Sequence, residues 1–103
     1  MLNKNKLFVY GILMGTYEGR IDAKLNGYEH IVRGHASIVK KEGESVKGEL
    51  VVLTDAQFEE TDRIESVGHY YHRFKVKVET DNGVVEDVWV YQQIEDKEKW
   101  KQD

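Results

Sequence analysis

Arg73-Phe74-Lys75-Val76-Lys77-Val78-Glu79-Thr80-Asp81-Asn82-Gly83 reads as a strand running into a tight turn. Phe74, Val76 and Val78 alternate with Lys75, Lys77 and Glu79, the period of two that sets one face of a strand on a core and the other in solvent. Asp81-Asn82-Gly83 supplies residues that accept the left-handed backbone of a hairpin turn. The returning strand covers Val84 to Gln93. This pair makes the sheet antiparallel at its C-terminal end, and the rest of the chain is read against it.

Upstream, Leu7-Phe8-Val9-Tyr10 is a short apolar run between a lysine-rich start and Gly11, the pattern of a buried strand. Gly11 to Gly27 is dense in glycine and predicts a loop or short turn followed by structure the pattern does not define. From Tyr28 to Val39 the pattern is again that of a strand, with Val32, Ala36 and Ile38 on one face and Arg33, His35 and Ser37 on the other. Gly34 marks a bend or bulge within it. Lys40 to Ser45, charged and containing Gly43, predicts a hairpin connection between Ser37-Ile38-Val39 and a strand from Val46 to Leu53. Thr54-Asp55-Ala56-Gln57 has the form of a capping box and starts a helix running to about Glu65. The tail from Glu95 to Asp103 is mostly charged, and Trp100 within it either docks on the domain or marks a fraying helix. Five or so strands joined mainly by hairpins, with one helix, imply an α+β domain whose largely antiparallel sheet can curl into a barrel.

The whole chain, 103 residues, has the size of one small domain, residues 1–103. With 40% hydrophobic and 33% charged residues it has the material for one core and is not of disordered composition. No run approaches the roughly 20 apolar residues of a membrane helix, and Met1 to Lys6 lacks the apolar stretch of a signal peptide, so the expected place is the cytoplasm, away from membranes. The absence of cysteine removes disulfides, thiol nucleophiles and cysteine-ligated metals. A net charge of −4 and a pI near 5.6 have the wrong sign for a partner rich in phosphates, so no nucleic acid is expected.

Phosphate-loop, nucleophile-elbow and zinc-helix signatures are missing. His30 with His35, and His69 with His72, diverge if extended, so no metal site is expected. Two candidates remain. On the helix, Asp62 and Glu65 fall on the side of Phe58. If Phe58 faces the core, these carboxylates sit at an apolar boundary, where the charged form is disfavoured and a general base becomes possible. Alternatively Ile64 with Ala56 marks the inner face and Glu65 is solvated, which periodicity alone favours. Asp62 either orients a catalytic group or caps local backbone, and the second is the commoner use of Asp. The other candidate is Tyr10-Gly11-Ile12-Leu13, where a glycine after a buried strand allows close backbone approach and successive amides can hold an anion. In Lys47-Gly48-Glu49-Leu50 a glycine inside a strand marks a bulge or a close contact.

In order and spacing, these segments resemble the γ-glutamylcyclotransferase-like, or AIG2-like, family over almost the whole chain. Leu7 to Met14 is similar to its opening strand and Tyr-Gly-Ser/Thr-Leu loop, Val46-Lys47-Gly48-Glu49-Leu50 to its Val-x-Gly-Glu-Leu strand, and Thr61-Asp62-Arg63-Ile64-Glu65 to its Leu-Asp-x-x-Glu helix end. Tyr71-His72-Arg73 resembles the next Tyr-x-Arg strand and Val88-Trp89-Val90-Tyr91 the closing Ala-Trp-Val-Tyr strand. The resemblance implies a small mixed barrel with a cavity where the Tyr-Gly loop meets the helix-end Glu. It implies an enzyme that cyclises a γ-glutamyl amine or peptide to 5-oxoproline and frees the amine. Glu65 would be the general acid/base, Gly11, Ile12 and Leu13 would offer amides to the substrate, and Tyr10, Tyr71 and Tyr91 would shape its surroundings. Ring closure is intramolecular, so no cofactor or metal is required. Ile12 replaces the usual Ser or Thr, Ser66 the Gly after the Glu, and Thr61 the Leu before the Asp; the family's Pro-containing segment between Met14 and Val46 is missing. These departures suit an alternative, a silent module on the same fold that binds an acidic metabolite or a nucleotide. A third reading makes Tyr70-Tyr71 and Trp89-Val90-Tyr91 a dimer face, leaving monomer or homodimer open, although cross-strand packing within one chain explains the same residues.

Overall fold

A computed structural model describes residues 4–11, 14–15, 17–32, 36–64 and 71–94. The elements run β1 (Lys4–Val9), β2 (Ile21–Val32), β3 (Ala36–Thr54), α1 (Asp55–Ile64), β4 (Tyr71–Thr80) and β5 (Gly83–Gln93). The strands close into a barrel in the order β1-β3-β2-β4-β5. Neighbours are antiparallel except β1 and β5, which pair in parallel at Leu7 with Trp89 and Phe8 with Val90. The ring is loosest between β2 and β4, where Lys24 opposite Glu79 is the paired position among the described residues and the two side chains form a 3.6 Å ion pair.

The Asp81-Asn82 hairpin forms as expected, Thr80 pairing with Gly83, whose φ of 118° only glycine adopts readily. Val78 is buried, and Phe74 and Val76 pack partly buried on the barrel core. Where Glu86 and Asp87 stand against Lys77, a bulge holds Asp87 at φ 58°, and Lys6 Nζ donates to the Glu86 carbonyl.

Two expectations for the middle of the chain need correction. Lys40 to Ser45 is not a hairpin connection. It lies inside β3, a strand of 19 residues that pairs with β2 on both sides of it. The register passes from Asn26 opposite Ser45 to Tyr28 opposite Lys40, so Lys41, Glu42, Gly43 and Glu44 together face Gly27. Gly27 and Gly43 take up the mismatch at φ 86° and 88°. A charged, glycine-containing run thus behaves as a wide bulge because partners on either side hold it. Nor is Tyr28 to Val39 one strand: Tyr28–Val32 ends β2 and Ala36–Val39 begins β3, antiparallel to each other, with Val32 exposed and Ile38 buried. The turn between them, with Gly34, lies outside the described residues, as do His69, Tyr70 and Trp100. In the glycine-dense stretch, Ile21 to Asn26 is strand, Ala23 and Leu25 buried and the residues between them exposed.

Two apolar layers result. Inside the barrel lie Phe8, Leu25, Ile38, Val46, Val88 and Val90. Outside it, beneath α1, lie Leu7, Val9, Val51, Leu53, Phe58, Tyr71 and Tyr91. β1 contributes alternately to both layers, which is why Leu7-Phe8-Val9-Tyr10 is apolar at every position and not at every second one. Gly48 lets β1 and β3 approach: a β-carbon there would stand 2.3 Å from the Val9 carbonyl oxygen and 2.7 Å from Phe8 Cζ. Among the described residues no helix is long and apolar enough to cross a membrane.

Candidate functional site

β1 ends by delivering Tyr10 and Gly11. Tyr10 is buried, and its hydroxyl donates to the Tyr91 carbonyl at 2.6 Å while its ring meets His30 edge-on with centroids 5.6 Å apart. The chain then turns, the Gly11 carbonyl accepting from the Met14 amide at 3.0 Å. Ile12 and Leu13, expected to present amides here, lie outside the described residues. Gly11 is confined on its other side, since a β-carbon would come within 3.1 Å of Ala36 Cβ. Past the turn, Gly15, at φ 78°, donates its amide to Glu49 Oε1 at 2.7 Å, and Arg20 Nε sits 3.6 Å from Glu49 Oε2. The Gly48-Glu49 pair therefore acts twice on this part of the chain: the glycine admits β1, and the carboxylate holds Gly15 and Arg20.

The helix begins with the expected reciprocal cap. The Gln57 amide donates to Thr54 Oγ1 at 3.2 Å and the Thr54 amide to Gln57 Oε1 at 2.9 Å. Its inner face is the one marked by Phe58. Phe58 and Thr61 are buried, whereas Ala56 and Ile64 are exposed, so the reading that placed Ile64 with Ala56 inward is wrong. The Phe58 ring finds the outer layer and the Trp89 ring, 6.0 Å between centroids, and that larger contact fixes the helix rotation. Thr61, standing where Leu is usual in the resembling motif, is buried as an alcohol because its hydroxyl has partners at Tyr17 Oη, 2.6 Å, and the Gln57 carbonyl, 2.9 Å.

Asp62 lies on the same face, and its partners among the described residues come from β4 and β5 rather than from local backbone. Its Oδ1 accepts from the Tyr91 hydroxyl at 2.7 Å and lies 3.0 Å from Arg73 Nε. The Arg73 guanidinium rests against two rings, 4.3 Å from the centroids of both Phe58 and Trp89. Glu65, the residue after α1 ends, lies outside the described residues. Tyr71 donates its hydroxyl to the Ala36 carbonyl at 2.6 Å, the same Ala36 that confines Gly11.

Tyr10, Gly11, Tyr71 and Tyr91 are thus brought together, linked through Tyr91 and Ala36. The three hydroxyl protons are given to internal acceptors, which holds these side chains in fixed orientations. Sequence reading gave no part to Tyr17 or Arg73. An Arg inside an alternating strand opposite a Tyr was the available signal, for Arg73 pairs directly with Tyr91 across β4 and β5.

This barrel, with a Tyr-Gly turn at the end of its first strand and a helix packed on it by its Phe58 face, agrees with a match of residues 7–103 to the family described as gamma-glutamyl cyclotransferase, AIG2-like. The chain belongs to that family. Solved structures share the fold. A gamma-glutamyl cyclotransferase superposes with TM-score 0.74 at 17% identity, over 89% of this chain and 68% of that one. An Arabidopsis thaliana protein solved in solution gives 0.73 at 22% identity, over 95% and 80%. YkqA from Bacillus subtilis gives 0.78 at 18% identity, over 89% of this chain but 41% of its own. At these identities the likeness is one of fold. A comparison with curated proteins finds no match.

Proposed function

We propose that this member of the family is a γ-glutamyl cyclotransferase acting on a γ-glutamyl amine or peptide, with Glu65 as general acid/base. The observation that supports the reading is the rotation of α1: its Phe58 face, on which the sequence also sets Glu65, is the face turned toward the barrel. Glu65 takes a proton from the substrate's α-ammonium, and the freed amine attacks the γ-carbonyl carbon. A carbon–nitrogen bond forms in the ring, the bond to the departing amine breaks, and the carbonyl is restored. Over the cycle the α-nitrogen loses two protons and the departing nitrogen gains two, so the products are 5-oxoproline and an ammonium ion. Amides of the Gly11 turn hold the substrate carboxylate or the oxygen of the tetrahedral intermediate. Attack within one molecule leaves positioning as the main demand on the protein, and no cofactor enters the scheme.

The test is mass spectrometry for 5-oxoproline after incubation with a panel of γ-glutamyl amines and peptides, parent beside Glu65→Gln. The parent is expected to form product and the variant to lose about a hundredfold or more in rate, at an unchanged or higher melting temperature. An unchanged rate in the variant removes Glu65 from the chemistry. Silence of a folded parent across the panel favours the second reading, an acidic-metabolite or nucleotide binding module, which Ile12 supports by removing a hydroxyl from the substrate loop.

A further inference from the structure

The two halves of the proposed site, the Tyr10-Gly11 turn and the end of α1, come from segments about fifty residues apart in sequence. A short series of bonds joins them. Arg73 Nε and the Tyr91 hydroxyl both converge on Asp62 Oδ1, at 3.0 and 2.7 Å, and the Tyr91 carbonyl accepts the Tyr10 hydroxyl at 2.6 Å. Arg73 cannot swing away without leaving both the Phe58 and Trp89 rings, each 4.3 Å from its guanidinium carbon. The side chains of Asp62 and Arg73 are 23% and 28% exposed, so water competes only partly for either. A carboxylate that accepts one hydrogen bond and faces a guanidinium at ion-pair distance holds both partners more firmly than a neutral acceptor would.

We infer that Asp62 is the positioning residue of this site: its carboxylate fixes the last turn of α1 against β4 and β5 and, through Tyr91, ties that turn to Tyr10. The inference rests on the proposed cyclotransferase site. It differs from a stabilising role because it couples two separate segments. A helix clamp alone would hold α1 and leave the end of β1 untouched. Asp62 stands three residues before Glu65, in the turn from which the chain passes to it, so the clamp bears on the chemistry without Asp62 touching substrate.

The experiment compares parent, Asp62→Asn and Tyr91→Phe by amide hydrogen exchange and by steady-state kinetics. In both variants, exchange is expected to quicken about tenfold at two places, residues 58–64 and the Met14 amide bonded to the Gly11 carbonyl, while the amides of Ala23 to Leu25 keep the parent's protection. Quickening at the helix alone overturns the inference, and so does a uniform loss of protection, which reports global stability only. In the kinetics, Asp62→Asn is expected to lower kcat by about ten- to a hundredfold, with KM within about twofold of the parent. A lower melting temperature with unaltered kcat overturns it. Should Asp62→Asn fail to fold, Tyr91→Phe, which removes the hydroxyl bonded to Asp62 and no charge, is judged by the same criteria. Should the parent turn over no substrate, the proposed reaction falls, and the exchange pattern alone decides whether Asp62 couples the two segments.

Discussion

The two layers of this protein are built by different means. Inside the barrel, Phe8, Leu25, Ile38, Val46, Val88 and Val90 meet through apolar side chains, and Tyr10 adds a hydroxyl given to the Tyr91 carbonyl. Under α1, apolar side chains of comparable burial are interleaved with Thr61, Asp62, Arg73 and the hydroxyls of Tyr17 and Tyr91. Apolar packing is non-directional, so the interior secures compactness and strand pairing and tolerates exchanges of shape. Hydrogen bonds and ion pairs are directional, so the outer layer determines where individual groups stand. The candidate site draws on the outer layer, on Tyr10 of the inner one and on the turn at Gly11. Stability thus falls chiefly to one layer and geometry chiefly to the other, and substitutions can separate the two.

The largest effect is expected where the layers touch through backbone. Gly48→Val places side-chain atoms against the Val9 carbonyl and the Phe8 ring and should destabilise by about 3 kcal/mol or more, measured by urea unfolding. Tolerance of valine there would mean that β1 and β3 can part without loss, which breaks the picture of an inner layer that secures strand pairing. Arg73→Ala comes next, at about 2 kcal/mol, because it removes a charged partner of Asp62 and two ring contacts together. A loss below about 0.5 kcal/mol would make the outer layer apolar in energetics despite its polar geometry. Thr61→Val keeps the shape and removes a hydroxyl bonded to Tyr17, so thermal unfolding should show a loss of about 1 kcal/mol. The smallest change is expected for Arg63→Ala. Its partner Glu60 is an exposed neighbour on the helix surface, and the loss should stay within about 0.5 kcal/mol. The contrast of Arg63 with Arg73 isolates what enclosure by rings and β-strands adds to an ion pair.

Much of the fold was legible because its signals are local. The alternation from Phe74 to Val78, the Asp81-Asn82-Gly83 turn and the Thr54–Gln57 cap each involve residues within a few positions of one another, and each appears as expected. Ile21 to Asn26 carries the same period of two, but the surrounding glycines hid it by suggesting a loop. Lys40 to Ser45 misled for the opposite reason: charge and glycine signal a turn, while partners in β2 on either side kept the segment in register. The helix face was ambiguous because Phe58 and Ile64 compete for it within ten residues that hold few apolar side chains. At the site, the sequence singled out Asp62 as a residue on the Phe58 side, and its partners came only with tertiary structure. Tyr91 and Arg73 are 29 and 11 residues distant, and no local pattern encodes such a meeting.

The sequence by itself determined the α+β class, the C-terminal hairpin, the start of the helix and, through ordered motifs, the family resemblance that the match over residues 7–103 bears out. Tertiary structure alone decided that β1 closes the barrel in parallel against β5, that β3 runs unbroken for 19 residues, and that Asp62 meets Tyr91 and Arg73. The division has one physical reason. Backbone preference, capping and burial period act over a few residues, whereas ring closure, helix rotation and a shared carboxylate depend on which distant surfaces pack together best.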